Sequence, residues 1–201
     1  MSFPQNTSNA VLVDFLKKVG HIKDDRVIRI KIAPQQIGYN ATISAPHMHA
    51  LALALELLNG HLRDGTWYCI LAPVGRRGRV IGIDHIKELV DLSISNINKH
   101  HSDLFMDVRI TMVTGDGRSG YRASAAYIAI HVGAAAPKLP DILVDQLAPG
   151  GWMIIPIGKV FSDRHFVQVD KDLNGNVEIE ELFDVLFVPL TDRKYQLGHL
   201  N

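Results

Sequence analysis

Apolar and polar residues repeat along this chain with two periods, and the alternation between them lays out the elements. Val11, Leu12, Phe15 and Leu16 share one helical face, Ser8 or Asn9 can cap it, and Gly20 stops it, so a short helix is expected through about Val19. Val27–Ile32 alternates apolar and basic residues, the pattern of a short strand. Gln36–Ala45 is a polar loop carrying Gly38 and Ser44, and it runs into Pro46. Pro46 opens an apolar helix to about Leu58, because its fixed φ suits the first helical position and its missing N–H costs nothing there.

From Trp67 onward short apolar runs alternate with amphipathic stretches. Trp67–Leu71 and Val80–Asp84 read as strands, Ile86–His100 as a helix with Leu89, Val90, Ile94 and Ile97 at helical spacing, and Val108–Thr114 as a strand. Tyr127–Val132 is a strand, Asp141–Leu147 a short helix ended by Pro149-Gly150-Gly151, and Trp152–Ile157 a strand. His165–Val169 and a run from Val177 flank Asn174-Gly175 as a hairpin, and Leu186–Leu190 closes the strand set. This order predicts an α/β fold with a mainly parallel sheet and a C-terminal antiparallel hairpin. No repeat or linker-like stretch divides the chain, so residues 1–201 are expected to form one domain.

Composition narrows the function classes. Lys plus Arg and Asp plus Glu each number 21, a balance that argues against broad nucleic-acid binding. A lone cysteine, Cys69, rules out an internal disulfide and favours a reducing compartment. MSFPQNTSNA has no apolar leader run, and Ala50–Leu58 is too short for a membrane span and carries Glu56. A cytoplasmic protein without membrane contact is expected.

Candidate chemistry gathers at two kinds of place. The helix start at Pro46, dressed with Thr42, Ser44, His47 and His49, suits an anion but equally suits a capped core helix. Asp84-His85, Gly115-Asp116-Gly117-Arg118 and Gly133-Ala134-Ala135 follow strands, where α/β sheets bind ligands. Asp84 is placed for a ribose diol, and Asp116 for an adenine amino group or for capping the next segment. Each acid alone could simply close a turn. Asp170–Glu181 carries oxygens at calcium-loop spacing, but the preceding HFVQV is extended and Asn-Gly signals a hairpin, so no calcium is expected. His47 and His49 fall on different helical faces, and no Cys/His cluster has zinc spacing, so no metal is expected. There is no Ser/His/Asp set and no G-x-S-x-G.

The stretches QIGYNATISAPHMHALAL, RVIGIDHIKELVDLS, VTGDGRSGY, YIAIHVGAAAP, DQLAPGG and FVPLTD, in this order, resemble the protein-L-isoaspartate (D-aspartate) O-methyltransferase family. The resemblance implies a Rossmann-like methyltransferase fold, with residues 1–35 as a shortened helical region and 36–201 as the core. It implies methyl transfer from S-adenosylmethionine to the free carboxylate of isoaspartyl residues in damaged proteins, by a monomer. The ester then collapses to a succinimide that reopens partly to aspartate. A carboxylate is already ionised at neutral pH and a sulfonium is already a leaving group, so alignment and water exclusion are what the protein must supply. Ser44 matches the family's active-site serine, and Ala41, Thr42, Ile43 and His49 match cofactor contacts in the same loop. Asp84 and His85 match the ribose-side acid and its neighbour. Asp116, Gly117 and Arg118 match the adenine-side turn, and Thr191 and Gln196 match late contacts.

The chain departs from the family at two points. A glycine-rich turn of the type V-L-D-V-G-S-G-S-G-Y should follow the first sheet strand, but here HLRDGTWYCILAPVGRRGRVIGIDH has none. Only Ala72–Arg79 separates Leu71 from Val80, while a parallel crossover needs at least about ten to twelve residues. Pro73, Gly75 and Gly78 also oppose a helix there, so the first strand–helix unit is truncated. The second departure lies just before Pro34-Gln35, where a D-R-x-x-[FY] stretch is missing. Two losses with intact flanks point to skipped or misjoined coding segments. Sequencing the transcript across Thr66–Trp67 is expected to reveal a longer form; a contiguous message for this junction in a functional protein overturns that origin.

Overall fold

A computed structural model describes residues 35–44, 79–159 and 163–198. The expected helices at 8–19 and 46–58 and the strands at 27–32 and 67–71 lie outside the described residues. The chain divides into two units, residues 1–37 with 41–63, and residues 38–40 with 64–201.

Strands β1 (Gln35–Gly38) and β2 (Ala41–Ile43) pair as a ribbon where the sequence suggested only a loop. Its connecting residues Tyr39 and Asn40 both have positive φ, 53° and 55°. Two successive positive φ values match the twist of a tight hairpin, and the usual Asn-Gly marker is replaced here by Tyr-Asn, which hides the turn.

In the second unit, β3 (Val80–Asp84) runs parallel to β4 (Ile110–Thr114), Val80 opposite Ile110 and Asp84 opposite Thr114. The crossover is α1 (Lys87–His101) with the short α2 (Asp103–Met106). Ile86, Leu89 and Val90 are buried, while Ile94 and Ile97 are half-buried, so the expected face is seated most firmly at its N-terminal end. Gly82 lies against Met112 on the neighbouring strand: a Cβ there would stand 2.6 Å from its sulfur, so that flexible side chain would have to shift. β4 starts two residues later than its apolar run because Val108 sits at φ 53°, exposed, in the turn leaving α2.

The larger sheet has the order β5 (Tyr127–His131), β6 (Leu147–Ile157), β7 (His165–Lys171), β8 (Val177–Asp184). The first pairing is parallel and the next two are antiparallel, giving an α/β arrangement with the expected C-terminal hairpin. Helix α3 (Asp141–Asp145) precedes β6. Pro149-Gly150-Gly151 does not merely end that helix: it lies inside β6, as a bulge. Tyr127 faces Leu147 and Ala129 faces Trp152, so a short step on β5 is matched by a longer one on β6. Gly150 supplies φ 75°, and Gly151 passes so close that a Cβ would meet the carbonyl of Tyr127 at 2.8 Å.

Trp152–Pro156 is buried at every position, which requires cover on both faces. Met153 and Ile155 pack with Val167 and Val169 in a cluster completed by Val132, Ala136, Leu143 and Leu147. On the opposite face Phe166 lies 5.4 Å from Phe183 and 6.1 Å from Phe187, centroid to centroid. Leu186–Leu190 is not a strand. Pro189 has no N–H to donate, so contact narrows to one bridge with Ala135, flanked by Ala135 N to Val188 O and Leu190 N to Ala135 O.

The Asp170–Glu181 segment has strands, not helices, on both sides of its turn. The Asp172 carboxylate accepts from the backbone N–H groups of Asn174 and Asn176, each at 2.8 Å, and from the Asn176 side chain at 2.7 Å. Those bonds, the Asn176 amide foremost, hold the Asp172 carboxyl below its ordinary value. A depressed folded value means that its contribution is complete above the ordinary carboxylate range and fades as pH falls through the folded value. Acidification below about pH 4 is therefore expected to loosen this turn, read as amide shifts of Asn174 and Asn176 titrating together. Unmoved amides down to pH 2 contradict it.

Candidate functional site

Asp84 closes β3 and stands half-buried beside the end of β4. Parallel strands end on the same side of their sheet, and here Gly115 N donates to Asp84 O at 3.0 Å, joining the two ends one residue beyond the ladder. One carboxylate oxygen, Oδ1, accepts from Ile86 N at 2.7 Å and fixes the entry into α1. The other oxygen accepts no hydrogen bond from a described residue. Asp84 thus joins a structural duty to an oxygen that no described residue occupies.

The turn after β4 is built on Asp116. Its Oδ1 accepts from Arg118 N at 3.0 Å, opening a 3₁₀ turn over Gly117–Ser119. The Arg118 guanidinium closes on the same carboxylate, with Nε at 2.9 and 3.0 Å and Nη2 at 2.6 Å. Asp116 therefore caps the next segment, and its acceptor capacity is taken up by Arg118. Hydrogen bonds from Arg118 hold the Asp116 carboxyl below its usual range against partial burial, and the His85 imidazole adds to this. The Arg118 guanidinium is correspondingly raised, with Asp192 contributing. Both partners are more than two-fifths exposed, so the pair is worth at most about 1 kcal/mol and opens cheaply. Gly117 has nothing within 4 Å of where a Cβ would be, which leaves its backbone approachable.

His85 is tied to the last helix, α4 (Arg193–Leu197). Its Nε2 lies 2.7 Å from Gln196 Oε1. The Gln196 amide nitrogen donates to Tyr39 O at 2.9 Å, and the Asn40 side chain donates to Gln196 O at 2.8 Å. An amide oxygen can only accept, so the proton of neutral His85 sits on Nε2. Asp192 caps α4 by accepting from Tyr195 N at 2.8 Å, and Thr191, half-buried, precedes it.

His85, Asp116, Arg118 and Gln196 are thus brought together beside Asp84. Ala41, Thr42 and Ser44 are half-buried at and just after β2, in the other unit; Ile43 belongs to β2, and His49 lies outside the described residues. The Gly133-Ala134-Ala135 turn is largely committed to structure: Ala135 bridges Pro189, and Ala136 N donates to Pro156 O at 2.9 Å. Among the described residues no group of three or more His, Cys, Asp or Glu could hold a metal ion. No described helix is long and apolar enough to cross a membrane.

The sequence reading missed Gln146. It is 1% exposed, accepts from Tyr121 N at 2.9 Å and donates to Ser119 O at 2.8 Å and Ile142 O at 3.1 Å. Gly120, at φ 61°, lies against it, and a Cβ there would stand 2.6 Å from its amide atoms. Tyr127 OH donates to Tyr121 O at 2.7 Å. The only signal in the sequence was a glutamine set between apolar residues at a helix–strand junction.

The His85 assignment is testable. Nitrogen-15 NMR of the neutral imidazole is expected to show the Nε2–H tautomer, with the preference weakened in Gln196→Ala. An Nδ1–H tautomer contradicts it.

The family model for Protein-L-isoaspartate(D-aspartate) O-methyltransferase (PCMT) matches residues 29–195. A Caenorhabditis elegans protein-L-isoaspartate O-methyltransferase is 47% identical over 176 positions, covering 82% of this chain and 77% of the relative. The Arabidopsis thaliana protein-L-isoaspartate O-methyltransferase 2 is 42% identical over 215 positions, covering 93% and 69%. That alignment is longer than this 201-residue chain, so the relative carries residues within the matched stretch that have no counterpart here. Among solved structures, one described as a protein-L-isoaspartate O-methyltransferase from Plasmodium falciparum in complex with S-adenosyl-L-homocysteine has a TM-score of 0.70 at 28% identity. It covers 92% of this chain and 99% of that one.

Proposed function

The chain belongs to the protein-L-isoaspartate(D-aspartate) O-methyltransferase family, and we propose that it methylates the free carboxylate of isoaspartyl and D-aspartyl residues in damaged proteins. Its methyl donor is S-adenosylmethionine, which supplies a methyl group on a positively charged sulfur and leaves as S-adenosylhomocysteine. A C–S bond breaks, a carboxylate oxygen forms the new C–O bond, and no proton has to move.

The observation that carries this reading is Asp84: a half-buried carboxylate at a parallel strand end, with one oxygen anchored to Ile86 N and the other accepting from no described residue. That set fits a ribose diol, which needs an acceptor held rigidly. His85 and Gln196 flank it. Gly117 offers an open backbone for a flat base, with Asp116 and Arg118 beside it; Asp116 can accept from an adenine amino group once the exposed Arg118 turns aside. Thr191 completes the C-terminal side. Ala41, Thr42, Ile43 and His49 belong to the loop that covers the cofactor, and Ser44 holds the substrate carboxylate in line for transfer. The whole chain works as one domain, a cytoplasmic monomer acting on damaged protein rather than on nucleic acid or a membrane.

A second reading has its own support. The glycine-rich turn that donates backbone N–H groups to the cofactor is missing, and the Arabidopsis alignment is longer than the chain. Every residue of β3 is only half-buried, whereas six consecutive residues of β6, Gly151 to Pro156, are buried. In this reading the chain is a misjoined isoform that cannot hold the cofactor and acts at most through interactions.

Calorimetric titration with S-adenosylmethionine separates the two. Micromolar binding, with transfer of labelled methyl to an isoaspartyl peptide, is the outcome for an active enzyme. Asp84→Asn is then expected to weaken binding tenfold or more, by about 1.4 kcal/mol, because an amide nitrogen replaces an acceptor. No binding by the folded chain establishes the inactive isoform instead.

A further inference from the structure

We infer that Gln146 is a positioning residue for the adenine end of the cofactor, acting through the Asp116–Tyr121 turn; this rests on the reading of that turn as the adenine side. The turn is short, has three of its six residues exposed, and has little apolar surface of its own to hold it. What fixes it from below is one buried amide. Gln146 Oε1 takes the N–H of Tyr121, and its nitrogen reaches the carbonyl of Ser119. The same nitrogen reaches back to Ile142 O in α3, and Gln146 O accepts from Tyr127 N at 2.8 Å. The side chain thus joins helix, sheet and turn.

Gly120 makes the fit tight. At φ 61° it brings its backbone against the Gln146 amide, and a side chain would collide with it. The position of Gly117 and Asp116, three and four residues earlier, follows from where Gly120 and Tyr121 are held, since Gly120 N donates to Gly117 O at 3.1 Å. A preorganised turn binds without the cost of ordering, so loosening it should weaken cofactor binding without altering methyl transfer from the bound state.

The test uses the full chain. Gln146→Ala removes all three side-chain bonds. Gln146→Glu keeps an acceptor for Tyr121 N and loses both donations, and so serves if the alanine variant fails to fold. Ile154→Val in the core of β6 serves as a control for general destabilisation. Binding of S-adenosylhomocysteine is measured by calorimetry alongside its hypoxanthine counterpart, S-inosylhomocysteine. The Gln146 variants are expected to bind S-adenosylhomocysteine about tenfold more weakly and to lose preference for adenine over hypoxanthine. KM for S-adenosylmethionine rises about tenfold while kcat changes less than about twofold. Ile154→Val lowers the melting temperature and leaves adenine preference unchanged. Gly120→Ala weakens binding in the unaltered background and less so when combined with Gln146→Ala.

Folded Gln146 variants that bind both nucleosides as the unaltered chain does overturn this role alone. Failure of the unaltered chain to bind S-adenosylhomocysteine overturns the cofactor reading and this role with it.

Discussion

Two parallel neighbours must finish on the same side of their sheet, and the described site depends on that constraint. A tight turn cannot join such strands, so the chain between β3 and β4 has to travel back along the sheet, here as α1 and α2. Because Asp84 lies opposite Thr114, the loops that follow both strands emerge side by side. The link from Gly115 N to Asp84 O then carries the pairing into the loops themselves. Residues 32 apart in sequence, Asp84 and Asp116, are brought to the same end of the sheet by backbone geometry. No attraction between the acids is needed for this. Arg118 and His85 supply the favourable charge beside Asp116.

The site joins fixed parts to cheap ones. Asp84 and Gln146 are anchored to backbone groups, and Gln146 is fully removed from water, so leaving either bond unmade costs more than the bond gains. The Asp116–Arg118 pair is the opposite case, exposed, screened and easily opened. Rigid groups fix the loops beyond the strand ends, and the exposed ion pair keeps the Asp116 carboxylate solvated and oriented.

Much of this was legible in the sequence because it is local. The 3.6 period marks α1, and the Asn174-Gly175 turn between alternating runs marks the β7–β8 hairpin. Asp84 and Asp116 are legible because strand ends are. What stayed hidden depends on partners distant in sequence. Gln146 reads as an ordinary polar residue until its five hydrogen-bonded neighbours, from Ser119 to Leu143, are brought around it. Leu186–Leu190 has a strand's composition, but Pro189 limits it to one bridge. Pro149-Gly150-Gly151 looks like a plain helix stop, and only the register against β5 shows that β6 has already begun. The β1–β2 ribbon escaped because Tyr39 and Asn40 adopt positive φ without a glycine between them.

The contrast between the two sheets bears on what the chain can still do. β6 is buried across Trp152–Pro156, with Met153 and Ile155 in one cluster and Phe166 packed on the opposite side. β3 is half-buried along its whole length although its sequence, VIGID, is that of a strand meant for cover on both faces. Burial is what holds a parallel strand in place, and marginal stability of about 5–15 kcal/mol leaves little to spare for partly covered apolar residues. The better-covered sheet begins directly after Gln146, whose amide holds the Asp116–Tyr121 turn. Asp84 is positioned by β3, by the start of α1 and by the hydrogen bond from Gly115 N beyond β4. The half-buried β3 carries Asp84, while the buried β6 begins directly after Gln146.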